Sequence, residues 1–102
     1  MARVAWTVVL KPGMEDEYDR AHDEAWPSIR QNLTDSGARN FSIFRDGIQV
    51  FGYYECDEAQ ATIKAIDEGE ARLGWGDALR HVVPDDFDEH SVRYLTEVFR
   101  HE

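Results

Sequence analysis

The chain predicts an α+β fold of the ferredoxin-like, split βαβ type: an antiparallel sheet with helices on one face, paired as a dimeric α/β-barrel. Three observations predict it. Hydrophobic patterning runs in the order strand, helix, strand, strand, helix, strand. Asp46-Gly47, a strong tight-hairpin signal, falls between the two middle strands. The first strand is apolar on both of its faces, so both need covering, one by helices and the other by a second subunit.

Residues 2–10 (ARVAWTVVL) are rich in β-branched and aromatic residues, and Pro12-Gly13 ends the run. Val4, Trp6, Val8 and Leu10 share one face; Ala5 and Val9 share the other. Residues 14–35 read as helix, with acidic residues at the end where the helix dipole is positive. Tyr18, His22, Ala25, Trp26, Ile29 and Leu33 recur at helical spacing. Pro27 either kinks this helix or starts a second one, and Ser36-Gly37 stops it.

Residues 40–46 and 48–55 form the hairpin strands, with Phe41, Ile43 and Arg45 on one face and Ser42 and Phe44 on the other. Residues 57–82 carry helical patterning through Ala61, Ala65, Leu73, Leu79, Val82 and Val83, broken into two helices by Gly69, Gly74 and Gly76. After the acidic loop from Pro84 to His90, residues 91–99 (SVRYLTEVF) read as a last strand. No repeat or linker divides the chain, and its 102 residues suit one domain spanning 1–102.

Composition narrows the function. The formal net charge is −10, which disfavours nucleic acid, anionic membranes and strongly anionic substrates. The longest apolar run, Val4 to Leu10, is far short of the ~20 residues that span a bilayer. One cysteine, Cys56, allows no intrachain disulfide; with no secretory signal visible, the expected location is the cytoplasm. Neutral small molecules remain open as ligands.

The chemistry centres on His22. Tyr18 lies four residues before it and Trp26 four after, so the three share a helix face. An imidazole in an aromatic stripe can exchange protons near neutral pH, although most such histidines are structural. The acidic stretch HVVPDDFDEH matches neither a calcium loop nor a two-histidine metal motif and reads as solvated. Cys56 has no base beside it and reads as a small strand-end residue.

The segment EYDRAHDEAWP resembles the signature helix of the L-rhamnose mutarotase family through Tyr18, His22, Trp26 and Pro27. The similarity continues through Ser36 to Phe41, Val50 to Glu55, Trp75 and Glu97-Val98-Phe99, and so covers nearly the whole chain. The resemblance implies interconversion of the α and β anomers of a deoxyhexose pyranose, without cofactor or metal; the homodimer is expected from the two-sided apolar first strand and the bare sheet face. The resemblance also implies that His22 is the catalytic proton donor and that Tyr18, Phe41, Trp75 and Gly76 contact the sugar. The chain departs from the family at two of these: position 41 is commonly tyrosine there, and Gly76 stands where a second tryptophan is frequent. Both departures bear on which sugar is bound, with L-fucose the alternative to L-rhamnose. Two other readings share the scaffold: a cofactor-free cyclase or monooxygenase, and a non-catalytic binding dimer.

Overall fold

The computed structural model of the chain describes residues 1–88 and 90–101. Its elements are β1 (Ala2–Val9), α1 (Glu15–Asp23), α2 (Pro27–Asp35), β2 (Arg39–Asp46), β3 (Gln49–Cys56), α3 (Ala59–Glu68), α4 (Glu70–Ala78), a 3₁₀ turn (Arg80–Val82) and β4 (Arg93–Tyr94). The four strands form one sheet in the order β2-β3-β1-β4, every neighbouring pair antiparallel. This is the split βαβ arrangement, and the sheet is not closed on itself. Among the described residues, no helix is long and apolar enough to cross a membrane.

The hairpin turns at Gly47-Ile48. Gly47 has φ +60° and Ile48 does not share the positive φ, so the glycine supplies the left-handed step at the first central position, as a type II′ turn requires. At the far end of β2 the register shifts between Arg39 and Ser42. Asn40, with φ +52°, takes up the irregularity and donates from its side-chain amide to Glu55 at 2.8 Å.

Alternation sorts the strands into two faces. Val4, Val8, Val50, Tyr54 and Cys56 are buried beneath the helices. Trp6 lies opposite Gly52 in the β1–β3 register, and a Cβ at Gly52 would run into the Trp6 indole. The glycine thus lets the ring lie flat across the neighbouring strand. Two clusters make up the core. One joins Val8, Leu10, Tyr18, Val50 and Val82; the other joins Val4, Tyr54, Cys56 and Ile66. Among the described residues, no helix covers the opposite face. There Val9, Phe44 and Phe51 remain exposed, Phe44 at 66%.

Four expectations need correction or refinement. Pro27 starts a new helix at its first position, the one place where its missing N–H costs nothing. Of the three glycines only Gly69 breaks the 57–82 segment; α4 continues through Gly74 and Gly76 and ends at Ala78, before the 3₁₀ turn. Glycine weakens a helix by only about 1 kcal/mol, which packing can override; here Trp26 lies beside Gly74, with room for a Cβ at 3.6 Å from its ring. On α3 the inward residues are Thr62 and Ile66, while Ala61 and Ala65 face solvent and Leu73 of α4 is exposed. The larger isoleucines, not the alanines, set which face turns inward, because they remove more apolar area from water. Lastly, β4 is two residues long rather than nine: Trp6 pairs with Tyr94 and Thr7 with Arg93, and Leu95 donates its N–H to Ala5 at 2.8 Å before the chain leaves the sheet. Arg3 holds the departing segment through two contacts to Glu97, 2.7 and 2.9 Å.

Candidate active site

Tyr18 and His22 sit one turn apart on α1, as their spacing requires. Their rings lie 4.2 Å apart between centroids. The chain then leaves α1, and Trp26 becomes the residue preceding α2. This brings Trp26 edge-on to Trp75 of α4 at 5.3 Å, while Trp75 meets His22 edge-on at 5.5 Å. Tyr18, His22, Trp75 and Trp26 therefore form a continuous aromatic chain. Edge-to-face contacts of this kind hold ring orientations as well as burying area.

His22 is half-buried, and its Nδ1 lies 2.8 Å from the backbone carbonyl of Tyr18. A carbonyl oxygen can only accept, so Nδ1 carries a proton and donates it. Nε2 is the nitrogen left for exchange with a ligand.

Tyr18 is 8% exposed. Burial, with the negative charge of Asp19 adding to it, pushes its phenol up to about 12, while Arg72 acts in the opposite sense. At neutral pH it is an uncharged hydrogen-bonding group and not a base. No buried side-chain oxygen or nitrogen among the described residues lacks a hydrogen bond. The Tyr18 hydroxyl has no partner among those residues, so it keeps contact with open space.

That space is a cavity of about 360 Å³ between α1 and β2, lined by Tyr18, Asp19, His22, Asp23, Ile43 and Arg45. Small-molecule sites span about 300–1,000 Å³, so a monosaccharide-sized ligand is within range. Asp19 and Arg45 form a two-pronged ion pair across its wall, with Nε–Oδ1 at 2.8 Å and Nη2–Oδ2 at 2.6 Å. The hydrogen bond from Arg45 is the main influence holding the Asp19 carboxyl below the ordinary carboxylate range, and the charges of Arg45 and His22 act the same way.

The structure brings Tyr18, His22 and Trp75 together. Phe41 sits elsewhere: its ring stacks on Tyr54 at 5.5 Å with 8° between planes, within the cluster of Val4, Cys56 and Ile66. Gly76 follows Trp75 on α4, and a Cβ there would lie 2.9 Å from Nη1 of Arg72. Asp19, Asp23 and Arg45 were not singled out from the sequence. Arg45 had a signal, a charge on the face that Phe41 and Ile43 make apolar, but its partner lies 26 residues away.

Among the described residues, no group of three or more His, Cys, Asp or Glu is arranged to hold a metal. The groups of this stretch are engaged with the rest of the protein: His81 pairs with Glu17 and Asp85 with Lys11, while Asp88 accepts from the backbone of His90. Glu89 lies outside the described residues. Cys56 is fully buried at the end of β3, as its position in the sequence suggests.

The family model for L-rhamnose mutarotase matches residues 3–101. A protein of Tolumonas auensis named L-rhamnose mutarotase is 33% identical over 102 aligned residues, covering 97% of each chain. The crystal structure of an L-rhamnose mutarotase from Formosa agariphila superimposes with a TM-score of 0.81 at 25% identity, covering all of both chains. Tetracenomycin F2 cyclase from Streptomyces glaucescens shares the fold alone, with a TM-score of 0.64 at 12% identity over the full length of both. The chain belongs to the L-rhamnose mutarotase family.

Proposed function

We propose that this protein is a single-domain sugar mutarotase that interconverts the α and β anomers of a deoxyhexose pyranose, L-rhamnose first, with His22 transferring the proton. The observation that carries this reading is the Nδ1–H to Tyr18 carbonyl bond, which commits one ring nitrogen of the imidazole and leaves Nε2 for a ligand in the cavity. Family membership supplies the reaction class.

In the reaction, Nε2 of the imidazolium gives its proton to the ring oxygen O5. The C1–O5 bond breaks as the anomeric hydroxyl loses its proton to water and C1=O1 forms. The open aldehyde rotates about C1–C2, and O5 attacks the other face of C1. The two proton transfers then run in reverse, restoring the imidazolium. General acid catalysis of this kind contributes about 10²–10⁴-fold. The neutral Tyr18 phenol orients the sugar by hydrogen bonding, and Trp75 offers an apolar wall to a face of the ring. Phe41, stacked on Tyr54, and Gly76, beside Arg72, lie outside the cavity lining, and this reading gives neither a contact with the sugar.

We place the working protein in the cytoplasm, as a homodimer packed sheet against sheet. Support for the dimer comes from the uncovered face, where Val9, Phe44 and Phe51 are exposed, and from Val98 and Phe99 beyond β4, which are more exposed still. The test of the activity is saturation-transfer NMR on L-rhamnose, L-fucose and common hexoses. Accelerated anomer exchange of L-rhamnose supports the reading, and acceleration of none of them ends it.

A further inference from the structure

The Asp19–Arg45 pair has more hydrogen-bonding capacity than its own contacts use. Arg45 spends three of its five N–H groups: Nε and Nη2 on the two Asp19 oxygens, and Nη1 on the Gly47 carbonyl at 2.8 Å. One N–H on each Nη remains. Each Asp19 oxygen accepts one of these bonds and retains a lone pair. The guanidinium cannot swing freely, because Asp19 of α1 and the turn carbonyl of the hairpin hold it from two elements. Both residues line the cavity that His22 also lines.

A fixed donor beside a fixed acceptor matches one arrangement well: two adjacent hydroxyls, one accepting from the guanidinium and the other donating to the carboxylate. We propose that Asp19 and Arg45 form a clamp for a vicinal pair of ring hydroxyls, and so determine which sugars His22 can act on. The inference rests on the mutarotase reading. Ile43, two residues before Arg45 on the same strand face, gives the clamp an apolar neighbour suited to a methyl group or a ring C–H face. The charge balance of the wall points the same way. Asp19 and Asp23 outnumber the one guanidinium, which is already neutralised, so sugar phosphates and uronic acids are repelled and neutral sugars are favoured.

A merely structural tie between α1 and β2 would leave different traces. The pair is partly exposed, with side chains 27% and 47% accessible, and such pairs contribute little to stability, so its removal leaves a folded protein. Anomer exchange is measured for wild type, Arg45→Met, Arg45→Lys and Asp19→Asn. The sugars are L-rhamnose and analogues that each lack one ring hydroxyl.

In wild type, two adjacent hydroxyl positions should each cost about tenfold to a hundredfold in kcat/KM when removed, the range for hydrogen bonds to charged groups. Arg45→Met should raise KM for L-rhamnose by a similar factor, with a smaller change in kcat, and should no longer distinguish the analogue lacking the hydroxyl that Arg45 holds. Arg45→Lys keeps the charge without the fork and should recover only part of the loss. If Arg45→Met fails to fold, the near-isosteric Asp19→Asn carries the same test on the neighbouring hydroxyl. An equal loss on every analogue, or an unchanged KM, overturns the clamp and leaves the mutarotase reading standing. A wild type that exchanges no sugar overturns the reading and the clamp with it.

Discussion

The Nδ1 of His22 lies 2.8 Å from the carbonyl oxygen of Tyr18, one helical turn earlier, so a backbone atom decides which ring nitrogen is left for a ligand. The contact depends only on α1 being helical there. His22→Ala should therefore cut sugar anomer exchange at least a hundredfold while the circular dichroism spectrum stays that of the parent. Wild-type exchange rates in a folded His22→Ala variant would remove His22 from the mechanism.

Tyr18 gives a pH prediction. Its phenol is pushed from 10 up to about 12, chiefly by burial. The fold therefore favours the protonated phenol. Its contribution is complete below pH 10 and is lost as pH rises through 12, because the unfolded chain ionises first. Two units correspond to roughly 2–3 kcal/mol. The unfolding free energy of wild type minus that of Tyr18→Phe should be flat below pH 10 and decline above it. Tyr54 is also pushed up by burial, but it is common to both proteins and cancels in the difference. A difference that stays flat to pH 12 would mean that the phenol ionises freely in the fold.

Gly52→Ala should destabilise the protein by about 1–3 kcal/mol, the usual cost of forcing a side chain into filled space. The new Cβ meets the Trp6 indole, not a flexible chain end. Urea unfolding of Gly52→Ala in wild-type and Trp6→Phe backgrounds checks the cause. The smaller ring should relieve part of the cost, and equal costs in both backgrounds would locate the clash elsewhere.

Phe44 and Phe51 face each other directly across β2 and β3 on the uncovered side of the sheet. Replacing both with lysine should give a folded monomer at micromolar concentration, where wild type sediments as a dimer. A wild-type monomer would contradict sheet-to-sheet pairing, and a dimeric double variant would place the interface elsewhere.

The parts of the fold governed by neighbours in sequence could be read from it. Strand alternation in β1 and β3, the Asp46-Gly47 signal and the Tyr18–His22 spacing are local, and the elements lie where these predict; Trp26, expected on the same helix face, instead precedes α2 because α1 ends at Asp23. What escaped depends on distant partners. SVRYLTEVF has strand composition along its whole length, yet only Arg93 and Tyr94 find ladder partners on β1, because composition does not provide a neighbouring strand. Gly74 and Gly76 suggest a break, but α4 packs Trp75 against Trp26 and His22 and runs on. Phe41 and Arg45 belong to one apolar strand face by alternation. Only the folded chain separates them, sending one ring onto Tyr54 and the other side chain to Asp19 beside His22.

Cys56 ends β3 in full burial, between the sheet and Ile66 of α3, and no other thiol exists in the chain. An alkylating reagent reaches its sulfur only when α3 lifts from the sheet or the β1–β3 ladder parts. Under native conditions the labelling rate therefore counts those openings one thiol at a time. A sugar bound at His22 slows labelling only if it also steadies that distant end of the sheet, so the natural sequence already carries a reporter of how far a ligand's grip extends.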